Sequence, residues 1–277
     1  MRDVSKLIES ELQYFKPMLE RSIRSSVAER EAWRNETIRQ RQERISLEVF
    51  DMLHGTVRYG PFTGLKLDRE AWWGCLDLGS QCLGLYELEI LSFLAQVKFG
   101  QFATFIDIGA ADGYYAIGML KTQKIRKAIC FEQSELGRET IAKNWRRNDS
   151  KGILEIFAEA NPETICALPR ADLSGALVMV DIEGAEFDVL VEKTLSVLKS
   201  CTIVIEIHNW IDDFSTRYSA FLQEASKYFE IEIFKPIERP TSSIKELADF
   251  TDDNRLLLVS ERRPCLMRFI KLVPRPP

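Results

Sequence analysis

The stretch at residues 105–120, FIDIGAADGYYAIGML, decides the fold. It opens as an apolar strand, passes through a turn of small residues, and closes as the start of a helix. Gly109 and Gly113 lack a Cβ, so the backbone of this turn can lie close to a ligand. A dinucleotide fingerprint would need a further glycine in the middle, to let a pyrophosphate sit on the helix N-terminus. That glycine is missing. In its place the turn carries two acids, Asp107 and Asp112, which repel a pyrophosphate and attract a cation or an amino group. The loop of Asp107, Gly109, Ala110, Asp112 and Gly113 is therefore expected to hold a ligand with a positive centre.

The next strand, KAICFE at 127–132, ends in Glu132, nineteen residues beyond Gly113. An acid at the tip of the second strand can accept both hydrogen bonds of a ribose diol. S-adenosylmethionine fits a ligand with a ribose, a positive centre and no pyrophosphate, since its sulfonium and α-amino group supply the charge.

Working outward, apolar runs alternate with amphipathic segments from about residue 102. The strand candidates are 103–108, 127–132, 152–157, 176–182, 201–208, 229–234 and 255–260. Helix candidates are 135–148, 185–199 and 215–229. Several of the strands are apolar on both faces, which suggests a doubly wound α/β sheet covered by helices. No long helix separates the last two candidates, so they are expected to form an antiparallel hairpin at the sheet edge. Residues 101–277 make up this domain. Residues 55–100 read as a turn-rich lead-in with short strands, then a helix opened by Tyr86 and Glu87. Residues 1–54 read as a helical extension, with Leu7, Ile8, Leu12, Phe15, Leu19 and Ile23 at roughly helical spacing. Such an arm packs on the main domain or joins two copies into a homodimer.

Four segments, FIDIGAADGYYAIGML, AICFEQSELGRETIAKNWRRN, VMVDIEGAEFDVL and IVIEIH, together resemble the class I S-adenosylmethionine-dependent methyltransferases. More narrowly they are similar to the FkbM family, whose pattern is D-x-G-A-x-x-G, a second strand ending F-E, a D-x-E-G-x-E block and a later I-E-x-H. The resemblance covers about residues 85–260. It implies a Rossmann-like methyltransferase sheet of seven strands, the last antiparallel, and O-methylation of a hydroxyl on a sugar or small-molecule natural product.

Methyl transfer to a hydroxyl requires alignment of acceptor, methyl and sulfur, and removal of the hydroxyl proton. Asp181, Glu183 and Glu186 lie in VDIEGAE, and Glu206 and His208 in IEIH. Pairs two apart on a strand share a face, and the implied fold makes the two strand ends neighbours. His208 is the candidate base, because a neutral imidazole titrates near pH 7. Asp181, Glu183 and Glu206 would orient it or face the acceptor. Glu186 is open between that role and simply starting the next helix, where an acid suits the dipole. A divalent cation on Asp181, Glu206 and His208 is a further option. Tyr86 and Glu87, with Trp72 and Trp73, are candidates for closing over the cofactor or forming the acceptor pocket.

The 277 residues carry a net charge of −5, which disfavours nucleic acid as the acceptor. The basic segments, the Arg-rich arm and ERRPCLMRFIKLVPRPP, read as surface charge. No run is apolar enough to span a membrane, and no secretory leader is visible, so a cytoplasmic protein is expected. The six cysteines lack C-x-x-C spacing and are expected as reduced thiols. Two alternatives stay open: a cofactor-binding scaffold without catalysis, and a methyltransferase for nucleic acid or protein.

Overall fold

The computed structural model describes residues 4–263 and 265–276, with no side-chain placement for Val4, Leu7, Met18, Leu19, Arg21, Ser22 and Trp33. Leu7 and Leu19 of the expected N-terminal stripe thus lie outside the described side chains.

Seven strands form one sheet: β1 (Thr104–Ile108), β2 (Lys127–Phe131), β3 (Ile153–Phe157), β4 (Leu177–Val180), β5 (Thr202–Ile207), β6 (Phe229–Ile233) and β7 (Arg268–Pro274). Their order is β3-β2-β1-β4-β5-β7-β6. Strands β1 to β5 run parallel, and β7 is antiparallel to both its neighbours. This is the doubly wound sheet with a reversed last strand expected from the sequence. The central strands are apolar on both faces because both faces are covered: β1 and β4 are buried throughout. One core layer joins Phe105, Ala128 and Cys130 to Phe62, Leu65 and Phe50, so the lead-in at 55–100 packs directly on the sheet. The other layer joins Ile106, Val178 and Ile203 to Leu195 and Phe221.

Six of the seven strands fall where the apolar runs put them. The seventh does not. RLLLVS lies on and just past the helix Asp252–Leu258, and the last strand is made by the basic tail. The Thr251 hydroxyl caps that helix by accepting from the Asn254 amide, and Asp252 and Asp253 fill its first turn. Only Leu258 is fully buried in it, while Leu256 is 66% exposed. In β7, Phe269 packs into one core layer and Ile270 and Leu272 into the other, while Arg268 is exposed and Lys271 half-buried. The expected hairpin is therefore replaced by a 34-residue connection from β6, which places β7 between β5 and β6.

The N-terminal segment is three helices, Val4–Arg24, Val27–Asn35 and Ile38–Met52. The third docks through Ile45 and Val49, both 0% exposed, whereas Ile8, Leu12, Phe15 and Ile23 on the first stay exposed. The expected single helix at 185–199 is broken into Glu186–Val189 and Glu192–Val197. All six cysteines are free, and Cys82, Cys130 and Cys201 are buried. Among the described residues no helix is long and apolar enough to cross a membrane.

Candidate functional site

Strand β1 has β2 on one side and β4 on the other, so the strand order reverses direction there. Ligands of such sheets bind beyond the carboxyl ends of the strands at this switch point. A cavity of about 780 Å3 opens there, lined by residues following β1, β2, β3, β4 and β5.

The glycine turn forms its floor. Strand β1 hands its chain to a tight loop in which the amides of Gly109 and Ala110 both donate to the Phe131 carbonyl, at 2.9 and 3.0 Å. Gly109 has φ +91°, and a Cβ on it would lie 1.7 Å from the Asp181 carbonyl oxygen. Only glycine lets the turn pass this close to the end of β4. Gly113, at φ +77°, begins the helix Tyr114–Lys121.

Three acids face this floor. Asp107 is 3% exposed, and its Oδ2 is buried without a hydrogen-bond partner. Burial, with the charge of Asp181 added, pushes its carboxyl up to about 8. Glu132 is held by two amides: Ala111 donates to Oε2 at 2.9 Å and Ser134 to Oε1 at 2.8 Å. Asp112 accepts from the Trp72 amide at 3.2 Å, and burial pushes it up to about 6. Trp72 and Trp73 both line the cavity, with ring centroids 5.3 Å apart. Tyr86 and Glu87 line it too. Glu87 accepts from the Tyr115 hydroxyl at 2.6 Å and has φ +42°; burial and the charge of Asp181 raise it to about 7.

The other half of the cavity surrounds His208, which is 1% exposed. Its Nδ1 lies 2.6 Å from Oε1 of Glu186, which is itself fully buried. The same Oε1 accepts from the Gly184 amide at 3.1 Å, so the carboxylate is fixed. The Nε2 faces the cavity with Asp181 at 3.6 Å, Glu183 at 3.8 Å and Glu206 at 4.0 Å. Burial pulls the His208 pKa down, but the Glu186 bond and the charges of Glu186, Asp181 and Glu183 outweigh it, and the net direction is up. Burial likewise raises Asp181 to about 6, with His208 opposing. Trp210 packs on the imidazole at 4.6 Å between ring centroids.

The structure thus brings together every residue singled out from the sequence: Asp107, Gly109, Ala110, Asp112, Glu132, Tyr86, Glu87, Asp181, Glu183, Glu206 and His208 all line the cavity, and Gly113 closes the turn beneath it. His54 lies outside it, in the turn after the helix Ile38–Met52. One picture from the sequence changes. Asp181 and Glu183 do not share a strand face, because β4 ends at Val180 and Glu183 sits in a turn at φ +55°. One partner left open takes both roles, and one was missed. Glu186 does begin a helix, yet its carboxylate also holds His208. Arg263, in the tail read as surface charge, reaches Glu206, Glu261 and Glu87. The D-x-E-G-x-E spacing contained a signal for Glu186. Nothing local marks Arg263.

No family model and no curated protein matches the chain. Among solved structures it is similar to precorrin 8W decarboxylase of Methanobacterium thermoautotrophicum, at 13% identity over 67% of this chain and 88% of that one, with a TM-score of 0.43. A putative tRNA methyltransferase of Streptococcus pneumoniae in complex with S-adenosyl-L-methionine matches at 16% identity, over 68% and 72%, with a TM-score of 0.42. Spermidine synthase of Thermotoga maritima matches at 14%, over 68% and 60%, with a TM-score of 0.44. The substrates in those names belong to those proteins.

Proposed function

We propose that this chain is an S-adenosylmethionine-dependent methyltransferase acting on a hydroxyl of a sugar or small molecule. The observation that carries the reading is Asp107: a buried carboxyl with an unpartnered oxygen, facing a cavity whose far wall ends in Glu132. An ammonium group would satisfy the one and a ribose diol the other. The cofactor fits this set of residues, and when bound it would supply an electrophilic methyl.

The chain's own part is to hold the acceptor and take its proton. Glu186 accepts from Nδ1–H of His208, which leaves Nε2 as the basic nitrogen on the cavity side. With the cofactor bound to supply the methyl group, Nε2 would take the hydroxyl proton of the acceptor. Asp181 and Glu183 stabilise the resulting imidazolium. Asp181, Glu206 and His208 can be drawn together as a cation's donor set. A divalent cation there would lie one carboxylate away from the Arg263 guanidinium, a like charge, so we assign the proton to His208 and no metal to the cluster. The acid-rich wall also disfavours a phosphodiester acceptor. The narrower likeness to FkbM proteins rests on motif spacing alone.

Label transfer tests this reading. Methyl-labelled cofactor offered to panels of sugars and polyols should give a labelled ether, and His208→Ala should abolish it. Cofactor binding with no transfer to any hydroxyl, amine or nucleic-acid panel would favour the scaffold alternative.

A further inference from the structure

Glu206 and His208 are two residues apart at the end of β5, and their charged atoms face one another. Glu206 is 4% exposed and carries no bond to the imidazole; its Oε2 stops 4.0 Å from Nε2. What restrains it is Arg263, whose Nη1 binds Oε1 of Glu206. The same guanidinium donates from Nε to Oε2 of Glu261 at 2.8 Å and has Glu87 Oε1 at 3.8 Å. It also lies over the Phe269 ring at 5.3 Å, and Phe269 is the β7 residue paired with Glu206. The fork is thus anchored on three sides. A planar guanidinium suits this task, since it can serve several carboxylates in one plane.

We propose that Arg263 is a positioning residue: by holding Glu206 back, it keeps the Nε2 of His208 free to take a proton from the acceptor. The proposal rests on His208 being the base. Without Arg263, the freed carboxylate of Glu206 would close on Nε2, the nearest cationic partner left to it. His208 would then be locked as an imidazolium between Glu186 on one nitrogen and Glu206 on the other. The groups facing the ring are Asp181 and Glu183 from the turn after β4, Glu186 from its short helix, Glu206 from β5, and the Trp210 ring. Of these only Glu206 is bonded to Arg263.

The chain has two histidines, so imidazole nitrogen NMR with a His54→Gln control resolves His208 by itself. Arg263→Gln is expected to move the His208 titration up by about one pH unit or more, as an opposite charge does at contact distance. Glu206→Gln on top of Arg263→Gln should bring it back. Merely structural damage would not be reversed by that second change. If Arg263→Gln does not fold, Arg263→Gln with Glu261→Gln removes one of the acids that Arg263 serves, still frees Glu206, and should give the same upward shift. A titration unmoved in the variant that folds, or a shift that survives Glu206→Gln, would overturn the proposal. Cofactor calorimetry is separate: loss of binding by the wild type would end the methyltransferase reading and leave this coupling standing.

Discussion

His208 Nδ1 and Glu186 Oε1 lie 2.6 Å apart, with neither residue more than 1% exposed. The pair fixes which nitrogen faces the cavity. Glu186→Gln keeps the shape but removes the charge that steadies the imidazolium. We expect turnover to fall by roughly 10²-fold, with cofactor affinity within about 3-fold. Label-transfer rates alongside calorimetry would check this. Unchanged turnover would remove the pair from the chemistry.

The acid–base state of His208 also sets the pH dependence of transfer. Its pKa lies above the ordinary 6.5, so the base is protonated and idle at lower pH. Transfer should rise with pH, along a limb centred above 6.5. A rate that is flat from pH 6 to 9 would contradict it.

Cofactor binding should release protons near pH 7. Asp107, raised to about 8 by burial, is mostly protonated there, and a bound ammonium group would ionise it. Calorimetry in buffers of different ionisation enthalpy reads the proton count. Zero release, or uptake, would count against Asp107 as the amine's partner. Glu132→Ala should independently weaken binding by about 1–3 kcal/mol.

Stability of the free chain should fall as pH rises. Asp107, Asp112, Glu87, Asp181 and Glu261 all have raised carboxyl pKa values, between about 6 and about 8. Between pH 4 and 8 the folded state therefore binds more protons than the unfolded state, and the slope of stability with pH is negative. His208 acts in the same direction, since a raised histidine stabilises at low pH and loses that effect as pH passes its folded value. Melting temperatures at pH 6 and 8.5 should differ by several degrees, the lower pH being the more stable, and saturating cofactor should narrow the gap. Equal melting at both pH values would be inconsistent with a crowded set of buried acids.

Gly109→Ala should be severe, because both φ +91° and the Asp181 carbonyl oppose a Cβ. A loss of about 3 kcal/mol or more is expected from strain and overlap together. A denaturant melt within about 0.5 kcal/mol of wild type would show that the turn relaxes.

Much of this was legible in the chain. ATFIDI, KAICFE and CTIVIEIH are apolar on both faces, and only a covered parallel sheet asks for that. Asp107, Glu132 and His208 follow such runs directly, so their place at the strand ends came with the strands. Residues 252–277 were misread for physical reasons. Leu256, Leu257 and Leu258 make a strand-like run, yet the Thr251 cap starts a helix through them. The true last strand carries Arg268 and Lys271 among its apolar residues, which makes it resemble a solvated tail. Arg263 has its partners at 87, 206 and 261, and only the fold brings those together.

The central claim is that the cavity beyond β1 and β2 takes S-adenosylmethionine. Isothermal titration of the folded chain with S-adenosylmethionine, its demethylated product and NAD tests it most directly. The account predicts saturable one-to-one binding of the first two, and none of the dinucleotide, whose pyrophosphate would face Asp107 and Asp112. No binding of S-adenosylmethionine, or tighter binding of NAD, would contradict it.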